Sequence, residues 1–134
     1  MLKRLLGASM CHAPTMSWAT LGHRARAWRV IHTAWSVAGL GSIGYTWACA
    51  ASGRRDRLLW TSIAFLSLEG VGLLIGRGDC PMGHLQESWG DPVPFFELVL
   101  PPRAAKAAVP ILTVVTVAGV LAVVLRPSRP ITPR

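Results

Sequence analysis

Charge is what this sequence has least of. Only 15% of its 134 residues are charged and only six are acidic, whereas an average soluble domain carries roughly 25% charged residues. So little charge cannot cover the surface of a soluble domain. Asparagine is missing altogether, which removes any glycosylation sequon. Three cysteines are too few for a disulfide-dense scaffold. No glycine-rich phosphate loop, GxSxG elbow or HExxH pair occurs in the chain. What the chain does have is apolar: 51% hydrophobic residues and a mean hydropathy of +0.42. Intrinsic disorder, which needs low hydrophobicity and high net charge, is excluded by the same figures.

The apolar residues fall into three long runs: 30–51, 58–76 and 107–125. The first has no formal charge after Arg29, the second has only Glu69, and the third has none. About 20 apolar residues cross about 30 Å of hydrocarbon, so the expectation is an all-α membrane protein with three transmembrane helices. Residues 1–26 read as a poorly ordered leader and 27–126 as the membrane domain. Residues 127–134, rich in Pro and Arg, read as a disordered tail. Tryptophans 18, 28, 35, 47, 60 and 89 lie at or near the expected interfaces, where an apolar ring with a polar N–H is at home.

The net charge of +8 then has an ordinary cause. Arg24, Arg26 and Arg29 precede the first run, and Arg54, Arg55 and Arg57 fill the first turn. Arg77, Arg103, Lys106, Arg126 and Arg129 mark the other ends. Basic residues there anchor helices among lipid headgroups. Nucleic-acid binding would instead gather them on one face with aromatic stacking partners, so no nucleic-acid partner is expected. The bases divide equally between the two sides, so the positive-inside rule chooses no orientation.

The loop 77–106 holds four of the six acidic residues and half of the ten prolines. Within it, 95–100 is apolar but too short to span, and reads as a short interfacial or re-entrant element bounded by proline. Two ionisable residues lie inside spans: His32 near the start of the first and Glu69 late in the second. Antiparallel geometry puts both in one leaflet, about 3 Å and about 10 Å from the span ends at 1.5 Å per residue. A carboxylate in hydrocarbon needs a partner. The expectation is that His32 and Glu69 lie within side-chain reach, with the loop from Cys80 to Leu100 folded over them as a lid. Cys80 and His84 could share a metal, with Asp79, Glu87 or Glu97 nearby, but one Cys and one His make only half a zinc site. A capped loop with a free thiol is the plainer alternative. Cys49 ends the first span on the far side from Cys80, so no disulfide is expected between them; only Cys11 could reach Cys80, and nothing in the sequence requires it.

The order His32-Thr33-Ala34-Trp35, Glu69, Cys80-Pro81-Met82 and Phe95-Phe96-Glu97 resembles a family of small bacterial integral membrane proteins of unknown function. In that family a His, an intramembrane Glu, a Cys-Pro-Leu and a Phe-x-Glu element recur in this order. The resemblance covers roughly 30–125 and matches at His32, Glu69, Cys80 and Glu97, with Met82 where leucine is usual. It brings no activity with it. Twelve Arg against two Lys suggest a GC-rich bacterial genome, and the expected location is the plasma membrane, multi-pass. The expected role is an accessory or scaffold component of a larger membrane assembly, partnered by lipid and by further copies or other subunits, with no enzymatic activity and no cofactor assigned. The alternative is a redox, metal-binding or proton-handling unit built on His32/Glu69 and Cys80/His84, for which a metal or haem stays open.

Overall fold

The computed structural model describes residues 18–78, 80–91, 93 and 95–127. The described residues form four α-helices and two short 3-10 turns, with no strand among them: α1 (His23–Ser52), α2 (Arg57–Ile75), α3 (Pro81–Ser88) and α4 (Pro102–Leu125). The 3-10 turns are Trp18–Thr20 and Phe95–Leu98, so the short apolar stretch of the loop is a single 3-10 turn. Leader residues 1–17 and tail residues 128–134 lie outside the described residues. Residues 23–26, assigned from sequence to the leader, already belong to α1.

Local chemistry sets the helix ends. α1 stops at Gly53, whose φ of 75° is left-handed and whose amide returns to the Cys49 carbonyl at 2.8 Å. α2 starts three residues later, because the Asp56 carboxylate accepts from the Leu59 amide at 2.9 Å and satisfies an orphan donor. The Tyr45 hydroxyl donates to the same carboxylate at 2.5 Å, and Arg54 at 2.9 Å. Tyr45 first, then the Leu59 amide and Arg54, hold the Asp56 carboxyl below the usual carboxylate range. At the far end of α2 the Gly78 amide reaches the Leu73 carbonyl at 2.8 Å and Arg77 that of Leu74 at 3.2 Å. This closing motif puts Arg77 at a φ of 55°, where glycine is the usual occupant. α4 opens on Pro102, whose missing amide costs nothing in a first turn.

α1 is the central helix. It packs against both α2 and α4, which barely meet each other. α2 runs antiparallel to α1, and α4 runs parallel to it. At the end carrying the 53–56 turn, Cys49, Ala50, Leu59 and Val123 form the buried core, with Tyr45, Ile63 and Ala122 against it. Two arginines lock this end reciprocally. Arg55 donates to the Val123 and Arg126 carbonyls, and Arg126 donates to those of Ala50 and Ala51 at 2.5 and 2.8 Å. Each guanidinium thereby caps the C-terminal carbonyls of another helix. In an apolar surrounding, close packing and such bonds hold helices together, because lipid supplies no hydrophobic drive between them.

Two of the three expected spans meet a strict test of length and hydropathy: α2, with mean hydropathy 1.8 over its most apolar stretch, and α4, with 2.6. α1 does not. Its uncharged stretch is long enough, but His32, Thr33, Ser36, Ser42, Tyr45 and Thr46 dilute its apolar residues. Gly119 lets the Trp47 indole approach α4 closely, donating to the Val115 carbonyl at 3.1 Å. A β-carbon at Gly119 would stand 2.9 Å from the Trp47 Nε1. Gly119→Leu is therefore expected to destabilise the bundle by about 1–3 kcal/mol, the usual cost of overpacking. Thermal unfolding in detergent, followed by circular dichroism, measures this; an unchanged melting temperature would remove Trp47–Gly119 as a packing contact.

Candidate functional site

The opposite end of the bundle is polar inside. Arg29 and His32 lie three residues apart on α1 and share a face, and both are buried, at 8% and 7% exposure. α3 lies across that face. The Trp28 indole donates to the Met82 carbonyl at 3.1 Å and meets Trp89 edge-on, with ring centroids 4.9 Å apart. After α3 the chain reverses. The Gly90 amide bonds the Glu87 carbonyl at 3.0 Å, and the Asp91 amide bonds that of Gln86 at 3.1 Å, with Gly90 at a φ of 87°. Only this left-handed turn, natural to glycine, swings Asp91 back under its own helix.

The reversal completes a chain of five side chains. The Arg29 guanidinium binds the Asp91 carboxylate bidentately, Nε donating to Oδ2 at 2.6 Å and a terminal nitrogen to Oδ1. Gln86 Nε2 donates to Asp91 Oδ2 at 2.9 Å and to the Val93 carbonyl at 2.8 Å. Gln86 Oε1 lies 2.6 Å from His32 Nδ1, and His32 Nε2 lies 4.0 Å from Cys80 Sγ. Both Gln86 amide hydrogens point at acceptors, so its oxygen faces His32 and the Nδ1 carries the proton.

The charges follow this geometry. Burial pushes the Asp91 carboxyl up, but the Arg29 guanidinium, the Val93 amide and Gln86 outweigh burial and hold it below its ordinary value. His32 holds the half-buried Cys80 thiol below its ordinary value against burial, helped by the Met82 and Gly83 amides at the start of α3.

The site expected from sequence is therefore partly rearranged. His32 and Cys80 come together. Glu69 is half-buried on α2, beside the Trp35 indole and close enough to His32 for their charges to interact. It is seated on Gly39, where a β-carbon would stand 3.0 Å from Oε2. On the other side of the ring, α3 presents Gln86, whose Oε1 lies 2.6 Å from His32 Nδ1. His84 is exposed on α3, whereas Cys80, the cap residue of that helix, faces His32 on α1. Among the described residues no three His, Cys, Asp or Glu side chains gather as metal ligands. Glu97 is exposed in the second 3-10 turn, and Asp79 lies outside the described residues.

Arg29, Gln86 and Asp91 were not expected. From sequence Arg29 reads as a headgroup anchor, although five arginines near the span ends and four acids on its side of the chain are a signal for internal pairing. Gln86, the only glutamine of the chain, carried no signal. Comparison with protein families, curated proteins and solved structures gives no match.

Removing one partner of a buried ion pair strands the other and typically costs about 3–5 kcal/mol. Asp91→Ala should release 80–91 from α1, seen as faster hydrogen–deuterium exchange of the α3 amides, and Arg29→Leu combined with Asp91→Leu should exchange more slowly than Asp91→Ala alone. Unchanged exchange in Asp91→Ala would show that the pair does not hold the loop. Because the Asp91 carboxyl is lowered in the folded state, its contribution is complete above its unfolded value of 3.8 and is lost as pH falls through the lower, folded value. Exchange of α3 should therefore stay constant from neutral pH to about 4 and rise only below that, after correction for intrinsic rates.

Proposed function

We propose that this chain is a three-span integral membrane protein of a bacterial plasma membrane, working as a small accessory subunit of a larger membrane assembly. The carrying observation is the outward direction of its apolar surface. Only 17% of the apolar stretch of α2 and 11% of that of α4 is buried. Leu68, Val71, Leu74 and Ile75 on α2, and Val114, Val117, Leu121 and Val124 on α4, are exposed. Lipid, or another helix within lipid, is the surrounding in which such faces are stable.

α1 joins the span reading through its position. It runs alongside both α2 and α4 over 30 residues, about 45 Å at 1.5 Å per residue. It also exposes Val30, Ile31, Val37 and Leu40 and has no charged residue between Arg29 and Arg54. A helix packed along two spans shares their slab. The accessory role is supported by the small interior: two surface recesses, lined by Trp18, Val30 and Ala34 and by Trp47, Leu125 and Pro127, are open and almost wholly apolar. The likeness to the small bacterial family gains support from the convergence of His32, Glu69 and Cys80 at one end.

Two measurements test this reading. With the native cysteines replaced, His23→Cys and Pro127→Cys should label from opposite sides of sealed vesicles with an impermeant maleimide. Labelling from one side would leave two spans. In mild detergent the native protein should run as a complex larger than one chain, and a homogeneous monomer would overturn the accessory role.

A further inference from the structure

We propose that Cys80 is a reactive thiol that exchanges with low-molecular-weight disulfides, with His32 as its proton acceptor and Gln86 as the residue that positions the ring. The inference goes beyond the accessory role, which is carried by the exposed apolar faces of α2 and α4. A neutral imidazole holds one proton, and the Gln86 oxygen fixes that proton on Nδ1, so Nε2, the nitrogen turned to Cys80 Sγ, offers its lone pair. Nucleophile, base and orienting amide thus stand in the order that thiol catalysis uses. The orienter is itself fixed, because Asp91 and the Val93 carbonyl hold both Gln86 amide hydrogens and Arg29 fixes Asp91. Cys80 is also the cap residue of α3, with the Met82 and Gly83 amides favouring a charged sulfur. It is half-buried, so a small reagent can reach it.

The step balances without further reactants. Cys80 passes its proton to His32 Nε2, and the thiolate attacks one sulfur of a disulfide RS–SR. The bond from Cys80 to SR forms as the RS–SR bond breaks, and the electron pair leaves on the second sulfur. That thiolate recovers the proton from His32. The Cys80 sulfur is oxidised, the released sulfur is reduced, and the product is a mixed disulfide. Among the described residues the other cysteine, Cys49, is buried at the opposite end of α1, so none of them offers Cys80 a partner thiol, and the reagent of the proposed step is an external disulfide.

The test uses the full chain in detergent with Cys11→Ser and Cys49→Ala, so that Cys80 is its one thiol. Dithiobis(nitrobenzoate) is the probe, and release of its coloured thiolate is followed from pH 5 to 10, with mass spectrometry placing the adduct. Among the described residues, His32 from α1 is the titratable group facing Cys80; Glu69 on α2 stands beyond it, and Arg29 and Asp91 are bound to each other. The rate should reach half its plateau clearly below the free-thiol value of about 8.5, and return to it in denaturant. His32→Gln should raise the midpoint toward the denatured value and slow the reaction at pH 6 by about tenfold or more. Gln86→Leu should raise it by a smaller amount while Cys80 still forms the adduct. A native midpoint equal to the denatured one overturns the proposal whatever the variants do, and so does an unmoved midpoint in a folded His32→Gln protein.

Discussion

The buried ion pair between Arg29 and Asp91 is the constraint on which the polar end of this molecule depends. The Asp91 side chain is wholly buried and that of Arg29 is 10% exposed. Neither group could stay there alone, because removing an ion from water costs several kcal/mol unless a partner with good geometry repays it. A guanidinium meeting a carboxylate through two bonds is the geometry that repays it best. Three things follow from this one contact. The loop after α2 is tied to α1, α3 is laid over His32, and Gln86 is left with one free acceptor, its oxygen, directed at the imidazole. A lysine in place of Arg29 would keep the charge but lose the fork, and with it the rotation of Asp91 that orients Gln86.

The other end solves a related problem with the same residue type. Helix C-termini leave four carbonyls without partners, which side chains, water or neighbouring groups must satisfy. Arg55 and Arg126 exchange places, each reaching the carbonyls that another helix leaves open. Guanidinium groups thus close the bundle at both ends, one through a carboxylate and two through backbone. A basic turn that looks from sequence like plain headgroup anchoring is also a structural clasp. Arg57, adjacent to it, remains exposed.

The sequence made the apolar helices legible and the polar end much less so. The runs 58–76 and 107–125 lie within a residue or five of α2 and α4, because a long apolar stretch is its own signal. The start of α1 was placed seven residues late, since hydropathy marks the hydrocarbon and not the helix: Arg24, Ala25, Arg26 and Ala27 are good helix formers that simply carry charge. α3 was missed because eight residues with Gly83 and His84 have no apolar period. Its punctuation was nonetheless present, with Pro81 at the first turn and Gly90 just past the end. Depth arithmetic put His32 and Glu69 in one layer. Depth carries no information about rotation, and rotation turns His32 toward α3 while Glu69 seats on Gly39.

The polar end also separates two titrations that would otherwise interfere. Docking of α3 depends on an ionised Asp91, held below 3.8, so any pH at which a thiol is chemically useful finds the loop closed. The Cys80 thiol is held below 9.0 by groups that exist only in the closed arrangement: the His32 ring beside it and the first amides of α3. The order of the chain explains why the separation is stable. Arg29 stands furthest from the sulfur, Asp91 and Gln86 link it to the ring, and His32 is the side chain of this chain of five that reaches Cys80. A network arranged the other way, with the carboxylate beside the thiol, would raise the thiol's value and oppose the ionisation that this one favours.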